Sequence, residues 1–313
     1  MFKEITIYDL AKELNYSSAT VSRAFQNNPA VKRRTRKKIL TLAVKKGYRS
    51  NYIASSLRKR KTKTIGVLMH ELNSHFMITV LSEIEKILSE TAYDIIIADS
   101  EESGKKEVAN ANNLFQKRVE GVIASLAYDT PNLSNFEQFT GKDIQIIFFD
   151  RVEENSTGTK VIFKNYKAGY DATQHLIEQR RKNIIHMTGN LSRNVYYNRL
   201  NGYKAALKDN NIKFRESYLI VNDFQNLNCI EAAKSIYRMK PFPDGIFKKN
   251  DISAAIVMQP FKEFNIRVPD DNAVVGFNND IVSTIVEPNL TTIDYPSFKM
   301  GEVAARNLIN HLN

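Results

Sequence analysis

The stretch TIYDLAKELNYSSATVSRAFQNNP, Thr6–Pro29, decides how the chain begins. Thr6 followed three residues on by Asp9 is a capping-box signature, and it predicts a helix over Ile7–Asn15 with Leu10, Ala11 and Leu14 on one face. Ser17 or Ser18 can cap a second helix running to Phe25, with Val21, Ala24 and Phe25 available to pack. Only Asn15 and Tyr16 separate the two, which makes the pair a tight helix-turn-helix. The second helix is thin in apolar content. Ser17, Ser18, Ala19 and Thr20 are small enough to let its backbone approach base edges and phosphates, and Arg23, one turn on, can reach the O6 and N7 of a guanine. Taken in isolation, the same residues would serve equally well as cap and packing residues.

Asn27, Asn28 and Pro29 break the pattern, and a third helix is predicted from Lys32 to Lys46, with Ile39, Leu42 and Ala43 inward and Gly47 as its stop. Charge weights the functional reading. The 313-residue chain carries a formal net charge of +11, yet Met1–Thr64 holds 17 Lys+Arg against 3 Asp+Glu, a net of +14, which leaves −3 for Ile65–Asn313. A small basic module on a slightly acidic body is the footprint of a nucleic-acid binder, because phosphate neutralisation with counterion release dominates such affinity. A basic run alone is more often a solvated tail, but this one has helical periodicity and caps. In NYIASSLRKRKTKT, Asn51–Thr64, Asn51 can cap a helix with Ile53, Ala54 and Leu57 on one side. At about eight residues it is too short to stand alone, and it would form only when docked. Leu57 beside a basic run fits an apolar wedge in a minor groove. The competing reading of this segment is a flexible linker.

From Thr64 onward apolar strands alternate with amphipathic helices. The strands are predicted at Ile65–Met69, Tyr93–Ala98, Gly121–Leu126, Ile144–Phe149, Val161–Phe163, Asn183–Met187, Tyr218–Val221, Gly245–Phe247 and Ala273–Phe277. Helices such as Phe76–Glu90, Asn165–Gln179, Arg199–Asn210 and Asp251–Phe264 lie between them. This repetition means parallel sheet covered on both faces, and its length fits two similar lobes better than one large sheet. Chemistry-bearing motifs are sparse: there is no P-loop, HExxH or CxxC, and TIGVLMHELNSHF offers only Gly66 where a dinucleotide fingerprint would need more. The five histidines and Cys229 lack metal-ligand spacing, and nothing calls for a cofactor. One cysteine rules out a disulfide framework; Lys3, Glu4 and Asp9 interrupt any signal-peptide pattern; and no apolar run is long enough to span a membrane, so a reducing cytoplasm is the expected compartment.

TIYDLAKELNYSSATVSRAFQNNPAVKRRTRKKILTLAVKKGYRSNYIASSLR resembles the DNA-binding head of the LacI/GalR family of bacterial transcriptional regulators. The likeness continues through KTKTIGVLM, IIFFDR, NRLNGYKAAL, the ND of FKKND, IRVPDDNAVVGFNND and LTTIDYPSFKMGEVAARNLI. The resemblance implies an N-terminal all-α helix-turn-helix domain of three helices plus a hinge helix, followed by an α/β periplasmic-binding-protein-like body of two Rossmann-like subdomains. The boundaries it implies are Met1–Arg49 for the head, Ser50–Thr64 for the hinge, and Ile65–Asn313 for the body. The subdomains interleave as 65–163 plus 293–313, and 164–290. The implied partners are double-stranded operator DNA, a second copy of the chain, and an effector in the cleft, a sugar or sugar derivative.

Carried over position by position, Ser18, Ala19 and Arg23 take the base-reading places. Tyr8, Ser17, Thr20, Ser22 and Thr35 take phosphate contacts, and Asn51, Ala54 and Leu57 fall on the hinge helix. Asp150, Arg199, Asn250 and Asn278 fall at effector-contacting positions, with Lys249 beside them, and His70, His75, Phe76 and Phe163 lie on segments that line the family's cleft. Several positions depart from the pattern. Ser50 replaces a proline and Ser55 an arginine, so hinge order and phosphate contact should be weaker. Asn278 replaces an aspartate, and Lys248 and Lys249 stand where small or apolar residues are common. Unless both lysines point to solvent, the cleft should be less negative and suited to an anionic effector such as a uronate or sugar phosphate. The family continues into a further strand beyond the position of Asn313, so the chain would be shortened or that edge of the second lobe incomplete. The leading function is a repressor-type regulator. The alternatives are a sugar-binding protein of the transport type, which the basic head argues against, and an enzyme on a doubly wound scaffold, which lacks a catalytic constellation.

Overall fold

A computed structural model describes residues 5–48, 62–221 and 226–312, apart from the side chains of 226–230 and 232. The chain divides into two compact units, Met1–Thr62 and Lys63–Asn313. The first unit holds α1 (Ile7–Leu14), α2 (Ser18–Phe25) and α3 (Arg33–Lys45). The capping box forms in both directions: Asp9 N–H donates to Thr6 Oγ1 at 3.3 Å, and Thr6 N–H donates to Asp9 Oδ2 at 2.8 Å. Asn15 turns the chain in the left-handed conformation, φ 54°, which a short polar side chain tolerates. Ser17 then caps α2, its Oγ accepting from Thr20 N–H at 3.1 Å. α3 ends in a Schellman motif: Gly47 sits at φ 66°, with Gly47 N–H on the Val44 carbonyl and Tyr48 N–H on the Ala43 carbonyl. Leu10, Ala11, Val21, Ala24, Val31, Ile39 and Ala43 close the core of this unit. Phe25 packs its ring against Tyr48, centroids 5.1 Å apart.

The second unit carries two five-stranded parallel sheets. The first is ordered β2-β1-β3-β4-β5, from β1 (Thr64–Met69), β2 (Asp94–Asp99), β3 (Gly121–Ala124), β4 (Gln145–Phe149) and β5 (Thr159–Val161). The second is ordered β10-β9-β8-β6-β7, from β6 (Ile184–Thr188), β7 (Leu219–Val221), β8 (Gly245–Lys248), β9 (Ala273–Asn278) and β10 (Thr291–Asp294). Helices α4 (His75–Ser89), α5 (Gly104–Gln116), α6 (Glu137–Thr140) and α12 (Ser297–Leu312) belong to the first lobe; α7 (Asn165–Glu178), α8 (Asn194–Asp209), α9 (Asn226–Tyr237), α10 (Asp251–Glu263) and α11 (Val282–Ile285) belong to the second.

The strands read as unbroken apolar runs because both of their faces are covered. Ile65, Val67 and Met69 of β1 and Ile147 and Phe149 of β4 enter one core, while Leu68, Ile146 and Phe148, pointing the opposite way, enter another with Leu114 and Phe139. In the second lobe Phe247 and Ile246 divide likewise.

Three details differ from the sequence reading. The fifth strand is Thr159–Val161, so Phe163 lies beyond it. The eighth helix begins at Asn194, five positions before Arg199, and places Arg199 mid-helix. β10 was not predicted, since Thr291, Thr292 and Asp294 leave only Ile293 apolar; at a sheet edge one covered face is enough. β10 belongs to the second sheet, so the return to the first lobe comes after Asp294, not at position 293.

Candidate DNA-reading head and interlobe cleft

On α2 the buried residues are Val21 and Ala24, while Ala19 and Arg23, one turn apart, are exposed and Ser18, Thr20 and Ser22 are half-exposed. Arg23 makes no hydrogen bond or ion pair among the described residues. Tyr8 on α1 is 71% exposed and Thr35 on α3 is half-buried. Arg36, by contrast, is tied to the head: its guanidinium donates to the Asn28 carbonyl at 3.2 Å and fixes the break after α2. Asn51, Ala54 and Leu57 lie outside the described residues.

In the second unit a cavity of about 550 Å³ opens between the lobes. Glu71, Leu72, Asn73, Ser74, Asp99, Glu101, Glu102 and Tyr128 line it from the first lobe, and Lys249, Asn250, Ile252, Ser253, Ile256 and Asp280 from the second. Most of these follow the carboxyl ends of β1, β2, β3, β8 and β9, where parallel sheets place ligands. The nine effector positions read from sequence do not converge on this space. Lys249 and Asn250 line it. His75 and Asn278 both reach Asp280 instead, His75 Nδ1 at 3.5 Å from its carboxylate and Asn278 donating Nδ2–H at 3.5 Å. His70 sits behind Glu71, with its Nδ1 at 2.8 Å from Ser125 Oγ.

The other four, Phe76, Asp150, Phe163 and Arg199, gather around a residue that the sequence reading did not single out, Tyr295. Its ring stacks on Phe76 at 4.6 Å and meets Phe163 at 4.9 Å and Phe277 at 5.3 Å. Its hydroxyl donates to Asp150 Oδ1 at 2.5 Å. Arg199 lies over Phe277, 3.4 Å from the ring centre, with Nε donating to Asn165 Oδ1 at 2.8 Å and Nη1 to the Lys249 carbonyl at 3.1 Å. This knot is closed, with Tyr295 and Arg199 each 3% exposed.

A second polar chain crosses between the lobes. Glu102 accepts two bonds from Arg151 Nη1, at 2.8 and 2.6 Å, and Arg151 Nη2 donates to Tyr196 Oη at 3.0 Å. Tyr196 and Tyr128 share a hydrogen bond of 3.0 Å, and Lys249 Nζ donates to Tyr128 Oη at 3.0 Å. The Arg151 guanidinium also lies over the Tyr128 ring, 4.2 Å from its centre. Arg193 reaches the Thr130 carbonyl, and Asn194 joins the Asp150 carbonyl to Val152 N–H. Sequence reading passed over Arg151 and Tyr295 although IIFFDR and DYPSF contain them; for Arg151 its position just after the predicted strand Ile144–Phe149 was the available signal, while Tyr295 follows a strand that left none.

The electrostatics correct one expectation. Lys248 is fully buried and is not part of the cavity lining, and Lys249 is half-buried against Tyr128, so neither points to solvent, but the cavity that Lys249 lines carries Glu71, Asp99, Glu101, Glu102 and Asp280. The lining is acidic because the loops after β1 and β2 bring carboxylates that spacing alone did not assign to the cleft. Burial raises the Glu71 carboxyl above its ordinary range and holds His70 well below its own, with Arg151 and Lys249 adding to the latter.

Asp251, at the start of α10, braces the second-lobe rim of the cleft. It accepts from Asp280 N–H at 2.7 Å and Thr292 Oγ1 at 2.6 Å, and burial pushes it up to about 6. An acid whose folded value is raised adds stability below its unfolded value, near 3.9, and loses it as pH rises through the folded one. Wild type should therefore lose roughly 2–3 kcal/mol relative to Asp251→Asn between about pH 4 and 6. Denaturant unfolding across that range checks it; parallel pH profiles would refute the assignment.

Together these units define a class: a DNA-reading helix-turn-helix head with a two-lobed body that holds a ligand-sized cleft. A family model for bacterial regulatory proteins of the lacI family matches residues 6–51, and one for a periplasmic binding protein-like domain matches residues 173–313. Catabolite control protein A of Priestia megaterium is 32% identical over 310 residues, covering 99% of this chain and 93% of the relative. The transcriptional repressor PurR of Photobacterium profundum is 28% identical, covering 98% and 92%. A lac repressor dimer bound to operator and the anti-inducer ONPF shares the fold at TM-score 0.85 and 22% identity, covering 98% of this chain and 92% of that one. The chain belongs to the lacI family of bacterial regulatory proteins, DNA-binding transcriptional regulators with a small-molecule-binding body.

Proposed function

We propose that the protein is a repressor that binds an operator of pseudo-twofold symmetry as a homodimer, with a sugar or sugar derivative in the interlobe cleft altering its affinity for DNA. It acts by binding, and nothing in the cleft is needed as a catalyst. The observation that carries this reading is the pairing of a capped, sparsely apolar α2 bearing an unengaged Arg23 with a cavity of about 550 Å³ at the strand ends of two lobes. The homodimer is supported by the solved lac repressor dimer of the same fold and by exposed apolar side chains on both lobes, among them Ile78, Ile97, Ile281 and Ile285. A transport role finds no use for the basic head.

Within this proposal Ser18, Ala19 and Arg23 read bases, while Tyr8, Ser17, Thr20, Ser22 and Thr35 hold phosphates. The hinge positions Asn51, Ala54 and Leu57 couple the body to the groove. Ser18 and Ala19 are short, so Arg23 does most of the direct reading. Arg23→Ala should weaken specific operator binding by about 1–3 kcal/mol beyond its effect on random DNA. Fluorescence anisotropy with both DNAs measures this, and equal losses would reduce Arg23 to a phosphate contact. In the same assay Leu57→Ala should lower operator affinity and bending while effector binding stays intact; unchanged bending removes the wedge role.

A further inference from the structure

The cleft has a deep part and an outer part, and they differ in chemistry. Tyr295 closes the deep part: its ring fills the space between Phe76, Phe163 and Phe277, and Asp150 holds its hydroxyl. The carboxylate and guanidinium at the positions that the resemblance assigned to the effector are thereby spent on the protein's own side chains. A ligand is left with the outer chamber, and what it meets there depends on which charges are already matched.

Glu102 is matched by Arg151, and Glu101 by Lys106. Asp280 lies 3.5 Å from His75 Nδ1 and accepts from Asn278 Nδ2–H, and Asp99 Oδ1 accepts from Glu101 N–H. Lys249, the one cation among the described residues of the lining, already donates to Tyr128. Glu71 is different. Among the described residues it makes no hydrogen bond: His70 Nε2 stands 3.9 Å away and a Glu102 oxygen within 4.8 Å, while Arg151 and Lys249, whose charges reach it, spend their donors on Glu102, Tyr196 and Tyr128. The Glu71 carboxylate is thus a half-buried acceptor facing a ligand-sized cavity, with no donor of its own among the described residues.

We infer that the effector carries a protonated amine on a polyhydroxylated frame, as an amino sugar does, and that Glu71 receives the ammonium group while the Asn73 amide and the Asn250 Nδ2–H face the hydroxyls, the Asn250 Oδ1 and the Ser253 hydroxyl being spent on the helix cap between them. This rests on the cleft being the effector site. A uronate or sugar phosphate would instead bring a further negative charge among unmoved carboxylates. His70, Glu71 and Glu102 also hold donor atoms within 4.8 Å of one another, the spacing of a divalent-cation site, but both Glu102 oxygens are taken by Arg151.

The test is calorimetry on the full chain with matched sets of one sugar skeleton: the hexosamine, its N-acetyl form, the neutral hexose, the hexuronate and the hexose phosphate, across several stereochemistries. A charge-assisted hydrogen bond predicts that at least one hexosamine binds roughly tenfold or more tightly than its neutral and N-acetylated counterparts. Glu71→Gln should abolish that preference, with the fold checked by circular dichroism. If no amine exceeds its deaminated counterpart, or if the preference survives in Glu71→Gln, the inference is wrong. Tight binding of a neutral or anionic member that changes operator affinity would overturn it while leaving the cleft as the effector site. If no sugar of any class binds, both readings fall. Zinc binding that is lost in His70→Ala and blocks every amine would replace the ammonium with a metal ion.

Discussion

Gly202→Ala should lower the stability of the body by about 3 kcal/mol, at or above the upper end of ordinary overpacking penalties. A methyl group on Gly202 would lie 2.0 Å from the Tyr166 carbonyl oxygen and 2.6 Å from Tyr170 N, and one on Gly169 would lie 2.2 Å from the Arg199 carbonyl oxygen. The obstructing atoms are backbone, so no rotamer change relieves the clash, and α7 and α8 have to separate. The same contact positions the site. α8, with Arg193 at its N-cap, carries Asn194, Tyr196 and Arg199, and displacing it strains the bonds from Arg151 to Tyr196 and from Val152 N–H to Asn194 Oδ1. Gly245→Ala is the control, because its new methyl group would meet side-chain atoms of Ile184 and Arg181 at 3.2 and 3.3 Å, which can yield. Urea unfolding of the three proteins checks the ordering. A Gly202→Ala midpoint equal to wild type would mean that the helix crossing is not the constraint we take it to be.

The head was legible in sequence to the level of single hydrogen bonds, since Thr6, Asp9, Ser17 and Gly47 act within three or four residues of themselves. Strand and helix order in the body was legible for a similar reason: periodicity is a local property and both sheets are buried on two faces. The cleft was not legible to the same degree. Its lining depends on which strand ends come together, and Glu71 meets Lys249 and Asp280 around one cavity only after two separate sheets have formed. Position-by-position resemblance assigned Asp150 and Arg199 to the effector and Phe163 to a cleft-lining segment, but could not foresee that Tyr295, contributed by the segment after β10, would occupy the space among them. β10 went unpredicted for the related reason that an edge strand with one apolar residue leaves almost no pattern.

Glu102→Ala should destabilise the body by about 3 kcal/mol, because it leaves a buried guanidinium without its carboxylate. Arg151 is 3% exposed, and an arginine cannot escape by losing its proton; Tyr196, Tyr128 and Glu102 hold it charged against the opposing pull of burial. Once Glu102 is gone, the remaining stabilisers are the Tyr196 hydroxyl at 3.0 Å and the Tyr128 face at 4.2 Å, neither of which carries a charge. Because Glu102 opens partly to the cleft, water can recover some of the lost solvation, which keeps the expected value at the low end for broken buried pairs. Glu102→Gln, keeping an acceptor but not the charge, should fall between Ala and wild type. The double variant Glu102→Leu with Arg151→Met should be more stable than Glu102→Ala, since replacing a buried pair with apolar groups removes both desolvation costs. A double-mutant cycle by urea unfolding separates the pair's coupling from the cost of stranding one member. If Glu102→Ala stays within about 0.5 kcal/mol of wild type, as a surface substitution would, the pair does not anchor this side of the cleft. If it falls as expected, the Arg151–Tyr196 bond that crosses between the lobes depends on a first-lobe carboxylate in the cavity wall. An effector settling beside Glu102 would then act directly on the contact that joins them.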